Sequence, residues 1–114
     1  MAKNMGGGLG DLGQVMKQAQ QMMKQREKIM EELRERVEEG TAGGGMVTAF
    51  VNGARELMKI KLEPEVVDPD DREMLEDLIV AAVNEASRKA QELSDREMGK
   101  LTGGIPGMQG LLGG

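Results

Sequence analysis

The chain has 114 residues and a formal net charge of -5, with no Cys, His, Trp or Tyr and with Phe50 as its one aromatic residue. That length suits one domain with a modest core, which gains from a second subunit. The missing residue types exclude a thiol nucleophile, an imidazole base, a Cys/His zinc site and a disulfide framework.

Residues 1-10, MAKNMGGGLG, are glycine-rich and lack apolar periodicity, so they are expected to form a flexible N-terminal tail. Gly8, Gly10 and Gly13 match the dinucleotide fingerprint in spacing, but no strand precedes them to carry such a loop into position. From Asp11 to about Arg36, Leu12, Met16, Ala19, Met23, Met30, Leu33 and Val37 recur in alternating steps of four and three that only Arg26 interrupts. Val15, Met22 and Ile29 widen that stripe, which predicts a long amphipathic helix able to touch its own domain and a second helix. Eleven methionines in one chain suit adaptable packing or a pliant binding surface, and at helical spacing the core is the expected place.

The period changes after Val37. A short strand is predicted over Val37-Thr41, followed by a tight reversal at Gly43-Gly44-Gly45. Gly40 and Gly45 also have Walker-type spacing, yet Met46 and Val47 follow where the phosphate-binding Lys and the Mg²⁺-binding hydroxyl would stand. Asn52-Gly53 between alternating segments predicts a hairpin with a two-residue type I′ turn. That turn would put Val47, Ala49, Val51, Ala54, Glu56, Met58, Ile60 and Leu62 on one, mostly apolar, face. Met46, Thr48, Phe50, Arg55, Leu57, Lys59 and Lys61 would share the other, mixed and basic, face, where Phe50 and Leu57 could meet a second subunit or stay thinly covered.

Asp68-Pro69-Asp70-Asp71 predicts the start of a second helix, with Asp70 and Glu73 at capping-box spacing. Its apolar stripe is Leu75, Leu78, Ile79, Ala82, Val83, Ala86, Ala90 and Leu93, in which the alanines allow close approach. Caps and a solvated face account for the acidic run from Glu63 to Asp77, so no metal or other cofactor is expected. Ser87 and Ser94 sit in helical sequence without a nucleophile-elbow context, and no enzyme site emerges. Residues 99-114 are again rich in glycine and are expected to form a flexible C-terminal tail, leaving a single α+β domain over 11-98. No apolar run approaches the roughly twenty residues of a membrane span and no signal-peptide core is visible, so a cytoplasmic protein without a membrane partner is expected.

Charge is distributed unevenly. Residues 1-30 carry five basic groups (Lys3, Lys17, Lys24, Arg26, Lys28) against Asp11 and Glu27, whereas residues 63-77 carry eight acids and only Arg72. A helix of about 25 residues is roughly 37 Å long, against about 23 Å for a seven-residue strand, so both helices should overshoot the sheet. Lys17, Lys24, Arg26 and Lys28 would then share a distal arm with Arg88, Lys89, Arg96 and Lys100, leaving the acids near the sheet. Such an arm suits duplex phosphates, while the shortage of aromatic residues disfavours stacking on single-stranded bases. A plainer reading is a solvated helical face, since Glu85, Glu92, Asp95 and Glu97 lie among these cations.

MKQAQQMMKQREKIMEEL at 16-33, EGTAGGGMV at 39-47, VNG at 51-53, Glu63-Pro64, DREMLEDLIVAAVNEA at 71-86 and the TGGIPGM of the C-terminal segment together resemble the YbaB/EbfC family of bacterial nucleoid-associated proteins. The resemblance runs in order through nearly the whole chain; Ala49 and Phe50 depart from the family's often valine-rich second strand. It implies an α-β-β-β-α fold, a tweezer-like homodimer and binding to double-stranded DNA with little sequence preference. It also implies a place in the nucleoid, a part in chromosome organisation and links to recombination, repair, replication or gene regulation and their proteins. The competing class is a dimeric protein-interaction adaptor that works through its Met-rich helical surface.

Overall fold

A computed structural model of the chain describes residues 2-102, with side chains from Asp11 to Leu101. Its elements are helix α1 (Ala2–Glu35), strands β1 (Val37–Ala42), β2 (Val47–Asn52) and β3 (Leu57–Leu62), a 3-10 turn at Pro64–Val66, and helix α2 (Arg72–Thr102). The strands form one antiparallel sheet in the order β1-β2-β3. This is the α+β fold expected, a long helix, three strands and a long helix.

The helical backbone of α1 runs from Ala2 and that of α2 reaches Thr102, so both take in part of the stretches expected as tails. Extending a helix fixes one residue for each bond gained, which is easier than nucleating one, even through glycine. The rest of the expected C-terminal tail, 103-114, lies outside the described residues.

One face of the sheet is covered by α2. Ala82, Ala86 and Ala90 are fully buried against Val47, Ala49 and Val51, with Val66 sealing the edge. Burying Val47 or Val51 contributes about 2 kcal/mol each. The approach is close because β1 carries Gly40 beneath the helix, where a Cβ would collide with the backbone of Ala82 and Ala86. The β1-β2 reversal falls on the expected glycines: Gly43, Gly44 and Gly45 all have positive φ, a conformation that costs other residues steric energy.

The reversal after β2 differs from the two-residue turn expected at Asn52-Gly53. Asn52 still pairs with Val37 of β1, the positive φ falls on Arg55, and Val47 pairs with Leu62. A two-residue turn would have paired Val47 with Met58, so the register has moved by four residues. An even shift keeps the pleat, and Ile60 and Leu62 remain on the covered face with Val47 and Ala49. A bulge between Phe50 and Val51 then leaves Leu57 and Met58 about half exposed. The cause of the wider loop is tertiary, because Asn52 and Gly53 are engaged elsewhere. Gly53 N donates to the carbonyls of Leu33 and Arg36, and Asn52 Nδ2 donates to that of Arg34. Those carbonyls belong to the C-terminal end of α1 and its following residue, where donors from outside the helix are needed.

Phe50 is partly exposed on the face away from α2, with Lys59 Nζ 5.7 Å from its ring centroid, as expected of the mixed face. Helix α2 begins at Arg72, and its capping acceptor is Asp71, whose Oδ1 accepts from Met74 N at 3.2 Å, rather than Asp70. Asp68 Oδ1 instead closes the preceding turn on Asp70 N.

Candidate nucleic-acid interface

The interface is built from the root outward. At the root, Leu33 of α1 and Leu93 of α2 are both buried, and Asn52 is the one buried polar side chain among the described residues, 2% exposed. Asn52 Oδ1 accepts from Ala54 N and Glu56 N, and its Nδ2 donates to Arg34 O, Glu56 Oε1 and Met58 Sδ. This side chain therefore holds the loop after β2 and the end of α1 in one network. Sequence reasoning took it only for a turn residue; the signal that remained was the position of Asn-Gly opposite the helix-to-strand junction.

Beyond the root, α2 leaves the sheet and runs beside α1. Met98 and Leu101 meet Met22, Met23 and Arg26 around an apolar groove of about 330 Å³. A neighbouring groove is lined by Lys28, Ile29 and Glu32 of α1 with Lys100 and Leu101 of α2. Further out, α1 is exposed on every side from Asp11 to Gln21. The described residues span 82 × 27 × 18 Å, the length set by this arm.

Lys17, Lys24 and Lys28 are seven and four residues apart, so on a helix they lie within about 40° of one another in a single stripe roughly 16 Å long. Arg26 points to another side, beside the methionines. All four are exposed, and among the described residues none makes an ion pair. Helix α2 adds Lys100, whose Nζ lies 3.1 Å from Glu97 Oε1 but which is otherwise open to solvent. Arg96 leaves α2 at the level where Glu97 also meets Arg36, 3.2 Å away, so it belongs to the root.

Arg88 and Lys89 do not reach the arm. They sit between Ala86 and Ala90, over the sheet, because α2 spends its first five turns covering β1 and β2 before it meets α1. Lys89 Nζ is held 3.2 Å from Glu85 Oε1 and donates to Glu39 O, while Glu85 Oε2 accepts from Thr41 N. These bonds, led by the one from Lys89, hold the Glu85 carboxyl below its ordinary pKa. Glu97 is lowered in the same sense, chiefly by the bond from Lys100, with Arg36 adding to it and partial desolvation opposing. Arg55 is likewise engaged, donating to Gln91 Oε1, which in turn is linked to Asp95.

The acidic run lies at the other end. Pro69, Asp70, Asp71, Arg72, Glu73 and Glu76 line a polar hollow where α2 begins. Along α2, Glu73 and Met98 are separated by roughly 37 Å. Among the described residues no three carboxylates converge as a metal would need, and no helix is long and apolar enough to cross a membrane. What the arm can do chemically is bind anions: it offers exposed primary ammonium and guanidinium groups.

A family model described as the YbaB/EbfC DNA-binding family matches residues 7-105. A nucleoid-associated protein of Clostridium perfringens strain SM101 is 58% identical over 105 residues, covering 92% of this chain and 93% of that protein. Nucleoid-associated proteins of Acetivibrio thermocellus and Chloroflexus aurantiacus are 50% and 55% identical, covering 90% and 83% of this chain and 90% and 95% of theirs. Among solved structures, the uncharacterized protein HP0035 from Helicobacter pylori superposes with a TM-score of 0.71 at 20% identity, covering 78% of this chain and 94% of that one. At that identity the likeness speaks for the fold alone.

Proposed function

The chain belongs to the YbaB/EbfC DNA-binding family, and on that premise we propose that it binds double-stranded DNA as a homodimer through backbone phosphates, with little sequence preference. The observation that carries the reading is the row of unpaired Lys17, Lys24 and Lys28 on an exposed helix far from the acidic end. Phosphate neutralisation by such groups releases counterions and is indifferent to base identity. Lys100 and Arg26 extend the cationic surface of the arm, and Arg96 adds to it at the root. Arg88 and Lys89 take a lesser part, the second being committed to Glu85 and Glu39.

A second copy would cover the open face of the sheet, where Phe50 is partly exposed beside Lys59, and would present two arms to separated points on a duplex. Binding of this kind suits a protein of the nucleoid that organises the chromosome. Contributions to recombination, repair or gene regulation would follow from where it coats DNA. The names of its relatives, nucleoid-associated proteins, support that placement.

Fluorescence anisotropy on two unrelated duplexes, and on single strands of equal length, over a salt series tests the reading. Similar duplex affinities falling steeply with salt are expected, each phosphate contact adding about -0.9 to the slope. Absence of duplex binding at low salt would overturn it. The groove between Met22, Met23, Met98 and Leu101 favours one other reading, an adaptor that grips a protein; that reading predicts a purified partner retained after nuclease treatment.

A further inference from the structure

The dipeptide that fastens α1 to the sheet is also chemically reactive. A glycine nitrogen following asparagine meets no side chain as it attacks the asparagine Cγ. The new N-Cγ bond forms while the amide nitrogen leaves as ammonia, giving a succinimide ring. Water then opens that ring at one of its two carbonyls, leaving aspartate or isoaspartate. One water is consumed, one ammonia is released, and nothing is oxidised or reduced.

In the folded chain both reacting groups are occupied. Gly53 N–H is shared between Leu33 O at 2.8 Å and Arg36 O at 2.9 Å, so the nucleophile points into the end of α1. The Asn52 amide is 2% exposed and bonded at both Oδ1 and Nδ2, which fixes its rotamer and keeps water from the carbonyl carbon. Attack therefore requires the end of α1 to separate from the loop after β2.

We propose that Asn52 is a deamidation site shielded by the docking of α1 on the sheet, and that its reaction makes loss of that docking permanent. The second half follows from the partners. After conversion the side chain keeps its acceptors for Ala54 N and Glu56 N but has lost both Nδ2 hydrogens. It then turns a carboxylate toward Arg34 O, the Glu56 carboxylate and Met58 Sδ, three acceptors facing an acceptor at a side chain that is itself buried. The arm that has once opened and reacted cannot close as before. This inference rests on the junction and is independent of what the arm binds.

The test is peptide mass spectrometry of the full chain at mildly alkaline pH, in native buffer and in denaturant, following the exchange of the Asn52 amide for a hydroxyl. Reaction through local opening should be at least about tenfold slower in native buffer; equal rates would overturn the shielding. Leu33→Ala, which loosens the root without altering Asn52 or Gly53, should raise the native rate. Asn52→Asp should melt at a lower temperature than the parent, and an unchanged melting temperature would overturn the claim that the product cannot re-dock.

Discussion

The two ends of α2 have opposite characters. Its first turns, with Glu73 and Glu76 behind the preceding Asp70 and Asp71, crown the sheet with acid, whereas its last turn joins α1 in an arm bearing Lys17, Lys24, Arg26, Lys28 and Lys100. Between them lies roughly 37 Å of helix, several times the screening length of about 8 Å in physiological salt. A phosphate at the arm thus feels the local cations far more than the acids, and a net charge of -5 is a poor guide to what the molecule attracts.

The contrast depends on one rigid body, so the largest effect should come from breaking the spine. Gly40→Val forces a side chain into the backbone of Ala82 and Ala86, and should cost about 3 kcal/mol or more, read as a lower urea midpoint. Removing the buried anchor at the arm's root by Leu33→Ala should cost about 3 kcal/mol in the same assay, with α1 more exposed to protease.

Charge changes sharpen the comparison without unfolding anything. Lys17→Glu, Lys24→Glu and Lys28→Glu together should lower duplex affinity at least about tenfold and flatten the salt slope by about three contacts. Asp70→Asn, Glu73→Gln and Glu76→Gln at the other end should change it by less than about threefold, given the screening. If the two triple variants behave alike in anisotropy, the proposed division of charge fails.

The smallest effect concerns acid. Glu85 and Glu97 both have folded-state pKa values below the ordinary one, so they bind protons more readily unfolded than folded. Their contribution is present above the unfolded glutamate value of about 4.3 and fades as pH falls through it and then through the lower folded value. Both are solvent-exposed ion pairs, and the expected loss is slight. Melting curves of Glu97→Gln against the parent should converge on acidification and separate near neutrality.

How much of this was legible follows from where each residue gets its instructions. The glycine reversal, the alternation of Val47, Ala49 and Val51, and the alanine stripe of α2 carry local signals that the fold obeys. Asn52-Gly53 does not, because the carbonyls ending α1 claim its donors and tertiary demand outweighs turn preference. Phe50 lies on the mixed, basic face that alternation assigns it, with Lys59 over its ring. On the arm, the helix places Lys17, Lys24 and Lys28 beyond the sheet, as the length of the helix against the strands leads one to expect. The place of Lys89 needed the crossing point of α2 over β1, which no periodicity encodes.

The sparse contact between α1 and the rest of the molecule has a mechanical consequence. From Leu33 to Lys17 the helix extends roughly 24 Å, so a tilt of about 10° at its base carries the lysine sideways by about 4 Å. That is close to the rise of one nucleotide along a strand, about 3.4 Å. A small tilt at the Asn52 junction is thus geared up into a whole step along the backbone of a duplex, in proportion to the length of helix beyond it.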